Sequence, residues 1–184
     1  MKIVSIFGET KRNLLAIHFK GQKDNEFKKA FKQWSDVNYL RNFFKEHQDD
    51  LQNGYYNWSN VNSAVLHTMD LADKLETLIR ETAYKETSEI SEMLQSIFKP
   101  LNNNDLSVET LQESKKSSHW LRIYAIRLDK HCYIITGSAI KLVKTMEEKK
   151  HLWDELIKLE KVKNYLEENG ILDVTDVEYI ELKN

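Results

Sequence analysis

Residues 119–146, HWLRIYAIRLDKHCYIITGSAIKLVKTM, constrain the fold more than any other stretch of the chain. Leu121 to Leu128 is dense in apolar and β-branched residues, with Arg122 and Arg127 set into it. Asp129, Lys130 and His131 are polar enough to turn the chain, and Cys132 to Thr136 reads as the return strand. Gly137-Ser138 predicts a break, and Ile140 to Val143 a third strand after it. The expected unit is an antiparallel meander over 120–143, with Arg122, Arg127, Lys141 and Lys144 spaced along it. Side chains alternate across a strand, so Arg122, Tyr124 and Ile126 share one face, and Leu121, Ile123, Ala125 and Arg127 the other. Cations between apolar neighbours describe a half-buried sheet with a charged outer face, which needs no function to explain it.

The chain before the meander is mostly helical in pattern. Lys2 to Phe7 and Leu14 to Phe19 predict two short strands joined as a β-hairpin through the polar loop from Gly8 to Asn13. Asp24 or Asn25 can cap a helix that places Phe27, Phe31 and Trp34 on one face. Ser35-Asp36 interrupts, and a second amphipathic helix carries Tyr39, Leu40, Phe43, Phe44 and His47 as far as about Leu51, before Asn53-Gly54 ends it. These aromatics are expected to be core. Ser59 or Asn60 caps a long helix with Val61, Ala64, Val65, Thr68, Ala72, Leu75 and Ile79 as its stripe, which leaves His67 on the surface. Helix resumes over Ile90 to Phe98 until Pro100 stops it. Residues 101–118, polar and containing three consecutive asparagines, are the expected linker. After the meander, Thr145 is a candidate N-cap for a helix with Leu152, Leu156, Leu159, Val162 and Leu166 on one side, stopped by Asn169-Gly170. Residues 171–184 suggest a short last strand or an ordered tail.

Net charge is −2, which argues against a surface that coats nucleic acid everywhere. Its distribution is uneven: residues 115–150 hold nine Lys/Arg and three Asp/Glu, whereas 151–184 hold four and nine. The meander is thus a cationic island in an acidic chain, able to hold phosphate locally. Other chemistries are disfavoured. The five glycines form no phosphate-cradling motif, and the six histidines show no i, i+4 pair and no H-E-x-x-H, so neither a metal nor another cofactor is expected. A lone cysteine in a strand, Cys132, is expected to be buried and inert. No run of about 18 apolar residues could span a bilayer, and the N-terminus lacks a signal-peptide pattern, so a cytoplasmic protein without membrane contact is expected.

L-R-I-Y-A-I-R, a short charged turn, C-Y-I-I-T-G and I-K-L-V-K resemble the central-to-C-terminal sheet of the RelE/HigB superfamily of toxin–antitoxin toxins. The following T-M-E-E-K-K-H-L-W-D-E-L is similar to the helix after that unit in HigB-type members, so the resemblance covers about residues 119–168. It implies a twisted, mainly antiparallel sheet with helices packed against it, and metal-independent cleavage of mRNA, commonly on the ribosome. In that chemistry an RNA 2′-hydroxyl attacks the adjacent phosphate, cations stabilise the developing charge, and an acid–base group moves protons. The resemblance places Arg122 as the phosphate-stabilising cation and Lys141 near the second basic position, with Lys144 or Arg127 in support. Tyr124 or His119 would transfer the proton, and Lys130 would join Arg127, Lys144 and His119 on the RNA. A cognate antitoxin is the implied protein partner.

The chain departs from that family in being longer and acidic, with extra helices at 26–99. These would be an insertion, a dimer surface or a built-in cover standing in for an antitoxin. The overall expectation is one α+β domain over 1–184, in which the N-terminal hairpin and the 120–143 meander form the sheet and 119–184 is the toxin-like part. Two other readings stay open: a non-catalytic helical interaction protein, and an RNA-binding relative that stacks bases on Tyr124 and Tyr133 without cleavage.

Overall fold

The computed structural model describes residues 1–7, 13–83, 85, 87–102, 105–111, 119–129, 132–146, 148–173 and 175–177. The fold is α+β. Its strands are β1 (Lys2–Ser5), β2 (Leu14–His18), β3 (Phe98–Asn102), β4 (Asp105–Leu111), β5 (Leu121–Arg127) and β6 (Tyr133–Ile140). Its helices are α1 (Glu26–Trp34), α2 (Val37–Glu46), α3 (Gln48–Asn53), α4 (Val61–Ala83), α5 (Thr87–Ile97) and α6 (Lys150–Glu168). The strands form one sheet in the order β1-β2-β6-β5-β4-β3. Among its described pairings only β2–β6 is parallel, so the sheet is mainly antiparallel, as expected. No helix among the described residues is long and apolar enough to cross a membrane.

Alternation along the strands divides the core into two faces. Leu14, Ala16, Leu121, Ile123, Ala125, Tyr133, Ile135 and Ile140 pack under α1–α5. On the other face Leu15, Ile17, Ile126 and Ile134 meet Val162 and Leu166 of α6, while Tyr124 and Ala139 meet Leu152 and Leu159. The helices of 26–97 are therefore one of two layers built on the sheet, and α6 is the other.

Local chemistry explains the helix starts. Asn25 Oδ1 accepts a hydrogen bond from Lys28 N at 2.9 Å, and Asp36 Oδ1 accepts from Asn38 N and Tyr39 N. Asn60 Oδ1 likewise accepts from Asn62 N and Ser63 N ahead of α4. Gly170 ends α6 with φ of 64°, the left-handed conformation that favours glycine.

Several expectations need correction. The last helix starts at Lys150 with Lys149, not Thr145, as its N-cap, and Pro100 lies inside β3, the helix before it having ended at Ile97. Gly137-Ser138 does not break the chain: β6 runs through it to Ile140, and 140–143 is not a further strand. The irregularity is instead a β-bulge at Thr136, because Tyr124 pairs with Gly137 while Ala125 pairs with Ile135. Part of the expected linker is sheet: β4 pairs with β3 on one side and with β5 on the other, including Val108 with Ile126. The helix expected to run from about 39 to 51 is two, α2 and α3, separated at His47. His67 is not a surface residue, since its ring stacks on Trp58 at 4.8 Å and meets Trp120 edge-on at 5.2 Å.

Candidate functional site

The cationic residues of β5 are largely committed to the fold. Arg122 Nη1 donates to the carbonyls of His119 at 2.9 Å and Leu121 at 2.8 Å. Tyr124, two residues on and on the same face, is 1% exposed beneath α6, and its hydroxyl has no hydrogen-bond partner among the described residues. Burial raises the Tyr124 hydroxyl well above the ordinary tyrosine range. A tyrosine in that state is a poor proton donor and a worse base. His119 is 3% exposed, and burial, reinforced by the Arg122 charge, lowers its pKa to about 4. Arg127 donates from Nε to Asp129 O and lies over the Tyr133 ring. Lys141 is partly exposed, with its backbone N–H donating to Trp120 O, and Lys144 is exposed. Lys130 lies outside the described residues. Cys132 lies just ahead of β6 and not in it; it is buried, and burial pushes its thiol up to about 12, which leaves it unreactive.

A more open polar site lies where β2 and β6 part. These strands are parallel neighbours, paired only from Leu14–Tyr133 to Ala16–Ile135. Beyond that point β2 feeds α1 on one face of the sheet and β6 leads to α6 on the opposite face. Such a divergence leaves a crevice outside the carboxyl ends of the strands. Here it is a cavity of about 390 Å³ between α1, α2, the end of β6 and the start of α6, and Arg122, Tyr124 and Lys141 are not among its lining residues.

Its inner wall is a chain of charges. Lys158 Nζ bridges Glu26 Oε2 at 2.9 Å and Glu155 Oε1 at 2.7 Å, joining the two helical layers. Glu26 also meets Lys29 at 3.3 Å, and Glu155 Oε2 accepts from Ser138 N at 3.2 Å. Gly137 lets that carboxylate lie against the strand, because a Cβ there would fall on Glu155 Oε2 and push it aside. Burial raises the pKa of Glu155 despite Lys158. Burial alone would lower Lys158, but its two carboxylates more than offset that and hold it above the ordinary lysine value. Lys158 therefore keeps its charge in place between the two helical layers.

The outer wall carries two imidazoles. His47, at the α2–α3 joint, and His151, in the first turn of α6, have ring centroids 4.8 Å apart. Phe43 packs against both, at 4.4 and 5.4 Å. Asp50 Oδ2 lies 3.4 Å from His47 Nδ1 and is itself held by Lys149 at 2.8 Å. His151 Nε2 is 3.1 Å from the Ile140 carbonyl, which can only accept. That contact places the His151 proton on Nε2 and leaves Nδ1 as a base. Burial lowers the pKa of His151, which favours its neutral form. The arrangement can move protons at two points a few ångströms apart.

Among the described residues no group of three or more His, Cys, Asp or Glu is placed to hold a metal ion. No family model, curated protein or solved structure matches the chain. The crevice leaves little trace in the sequence because His47 and His151 come from opposite helical layers. The one local signal is the polar run around His47, HQDD, which ends an amphipathic pattern before Asn53-Gly54 does.

Proposed function

We propose that the protein is a metal-independent endoribonuclease, RelE/HigB-like in its reaction, whose acid–base centre is the crevice and not the strand arginine. The supporting observation is the His47–His151 pair, 4.8 Å apart, each ring fixed by a different partner. His151 Nδ1 takes the proton from an RNA 2′-hydroxyl as that oxygen bonds to phosphorus. The bond to the 5′-oxygen breaks, and His47, oriented by Asp50, returns a proton to it. The products are a 2′,3′-cyclic phosphate and a 5′-hydroxyl, so no water or metal enters the step. Lys149, held on Asp50, is the cation next to the pair.

A second reading has its own support. Trp153 and Ile157, one turn apart on α6, are 48% and 53% exposed, an apolar ridge of the kind an interaction protein presents. In the ribonuclease reading the same ridge is where a cognate antitoxin or a second copy would sit.

Induced expression in a bacterium, with growth and protein synthesis followed, separates the two. Under the ribonuclease reading the wild type arrests growth, His47→Ala and His151→Ala relieve the arrest while remaining folded, and RNA ends carry cyclic phosphate. Relief by Arg122→Ala alone would return the centre to β5. Normal growth with abundant, folded wild type would leave the interaction reading.

A further inference from the structure

We infer that the crevice seats a single unstacked nucleobase, with Tyr39 and Phe43 as its stacking wall and the side-chain amides of Gln33 and Asn42 reading its edge. This deepens the ribonuclease reading and rests on it for the identity of the substrate, although base binding can be measured without cleavage.

Size comes first. About 390 Å³ lies in the range of small-molecule sites, ~300–1,000 Å³, and suits one nucleotide but not a duplex. The wall comes second. The Tyr39 and Phe43 rings are near-parallel, with centroids 6.5 Å apart and an interplanar angle of 22°. Phe43 then continues into the imidazole pair, so an aromatic strip leads from the cavity to the groups that move protons. Flat aromatic surface of this kind takes any base by its face.

The third observation concerns amides. Gln33 on α1 and Asn42 on α2 both line the cavity, and neither side chain has a partner among the described residues. A carboxamide presents donor and acceptor together, the pairing that a base edge offers in return. Charge is the fourth. Glu26 and Glu155 are matched by Lys158 and Lys29, Glu46 adds a further acid to the lining, and Lys29 is the one Lys or Arg that lines the cavity, so it offers no cluster of cations for a polyphosphate. A neutral, planar, hydrogen-bonding head group is what remains complementary to it.

The test is calorimetric titration of the full chain with each of the four nucleoside 3′-monophosphates, and with inorganic phosphate, beside cleavage of an RNA of mixed sequence. At least one nucleotide should bind saturably and phosphate should not. Gln33→Ala and Asn42→Ala should each weaken that binding about tenfold and flatten the base preference at the cleaved position. Tyr39→Ala should weaken all nucleotides by a similar factor, roughly tenfold. Thermal melts of these three partly or fully exposed positions check that the fold is kept. Cleavage whose base preference none of the three variants changes overturns the pocket and leaves the ribonuclease standing. Base-dependent binding that the variants abolish, with no RNA cleavage, upholds the pocket and removes the ribonuclease. No nucleotide binding, or binding equal to that of phosphate, overturns the pocket.

Discussion

Two histidine-bearing aromatic clusters lie in this molecule, and they have opposite fates. Around Trp120, His67 and His119 sit among Tyr56, Trp58 and Phe44, with Trp120 fully buried and donating from Nε1 to Thr68 at 2.9 Å. Around Phe43, His47 and His151 line an open cavity. Composition does not separate them. The difference is position: the first is sealed beneath the α1–α5 layer, and the second lies where two parallel strands send their helices to opposite faces. In the sealed cluster burial strips the His119 imidazole of its charge and leaves it as packing. At the divergence each ring keeps a fixed orientation and a reachable nitrogen.

That contrast breaks most sharply under paired substitutions. Trp120→Ala should cost about 3–5 kcal/mol of stability, measured by denaturant unfolding, because it empties the centre of a filled core. His151→Ala should change stability little and lower RNA cleavage by roughly 10²–10⁴-fold, the usual worth of a positioned acid–base group. Cleavage surviving His151→Ala would make both clusters structural.

The charge chain behind the crevice gives the next largest effect. Lys158→Met leaves Glu26 and Glu155 facing each other without their shared cation, and should cost about 3–5 kcal/mol. Adding Glu26→Gln should recover part of that loss, since it removes one of the stranded charges. Equal stability of the single and double variants in chemical unfolding would mean that the chain is a solvated surface pair.

Features with a local cause are legible in the sequence. The N-terminal hairpin, the Asn25 and Asn60 caps, the α4 stripe and the Asn169-Gly170 stop each depend on neighbours a few residues away, and each stands in the structure. Features with a distant cause are not. Gly137 looked like a turn, but its missing side chain makes room for Glu155, eighteen residues later, against the strand. The polar stretch at 105–111 looked like a linker because β-pairing to β3 and β5 leaves no mark on its own composition. Arg122 stood out as a strand cation, yet its donors go to backbone carbonyls only one and three residues back. Histidines 104 positions apart in sequence carry no joint signal at all.

The sealed cluster also sets a pH dependence. Unfolded, His119 takes up a proton near 6.5; folded, it does not do so until about pH 4. Between those values the unfolded chain binds more protons, so stability is full above about 6.5 and falls as pH drops toward 4. The loss is on the order of 3 kcal/mol. Unfolding midpoints of wild type and His119→Gln at pH 7 and 4.5 should differ in their change with pH, the variant losing less. Parallel losses would assign the acid sensitivity to other groups.

The smallest expected effect is a displacement along the pH axis, and it bears most directly on the open cluster. If His151 is the base, cleavage under kcat/KM conditions must fall as pH falls through its pKa in the free protein. Burial lowers that pKa, while the Ile140 carbonyl on Nε2 and the Asp50 charge partly restore it. The acid limb of the profile should therefore lie below the ordinary histidine value, about 6.5. A limb at or above that value would require a base whose charged form is favoured, which desolvation of His151 opposes. It would move the proton-abstracting role off this ring even if the crevice remained the place where RNA binds.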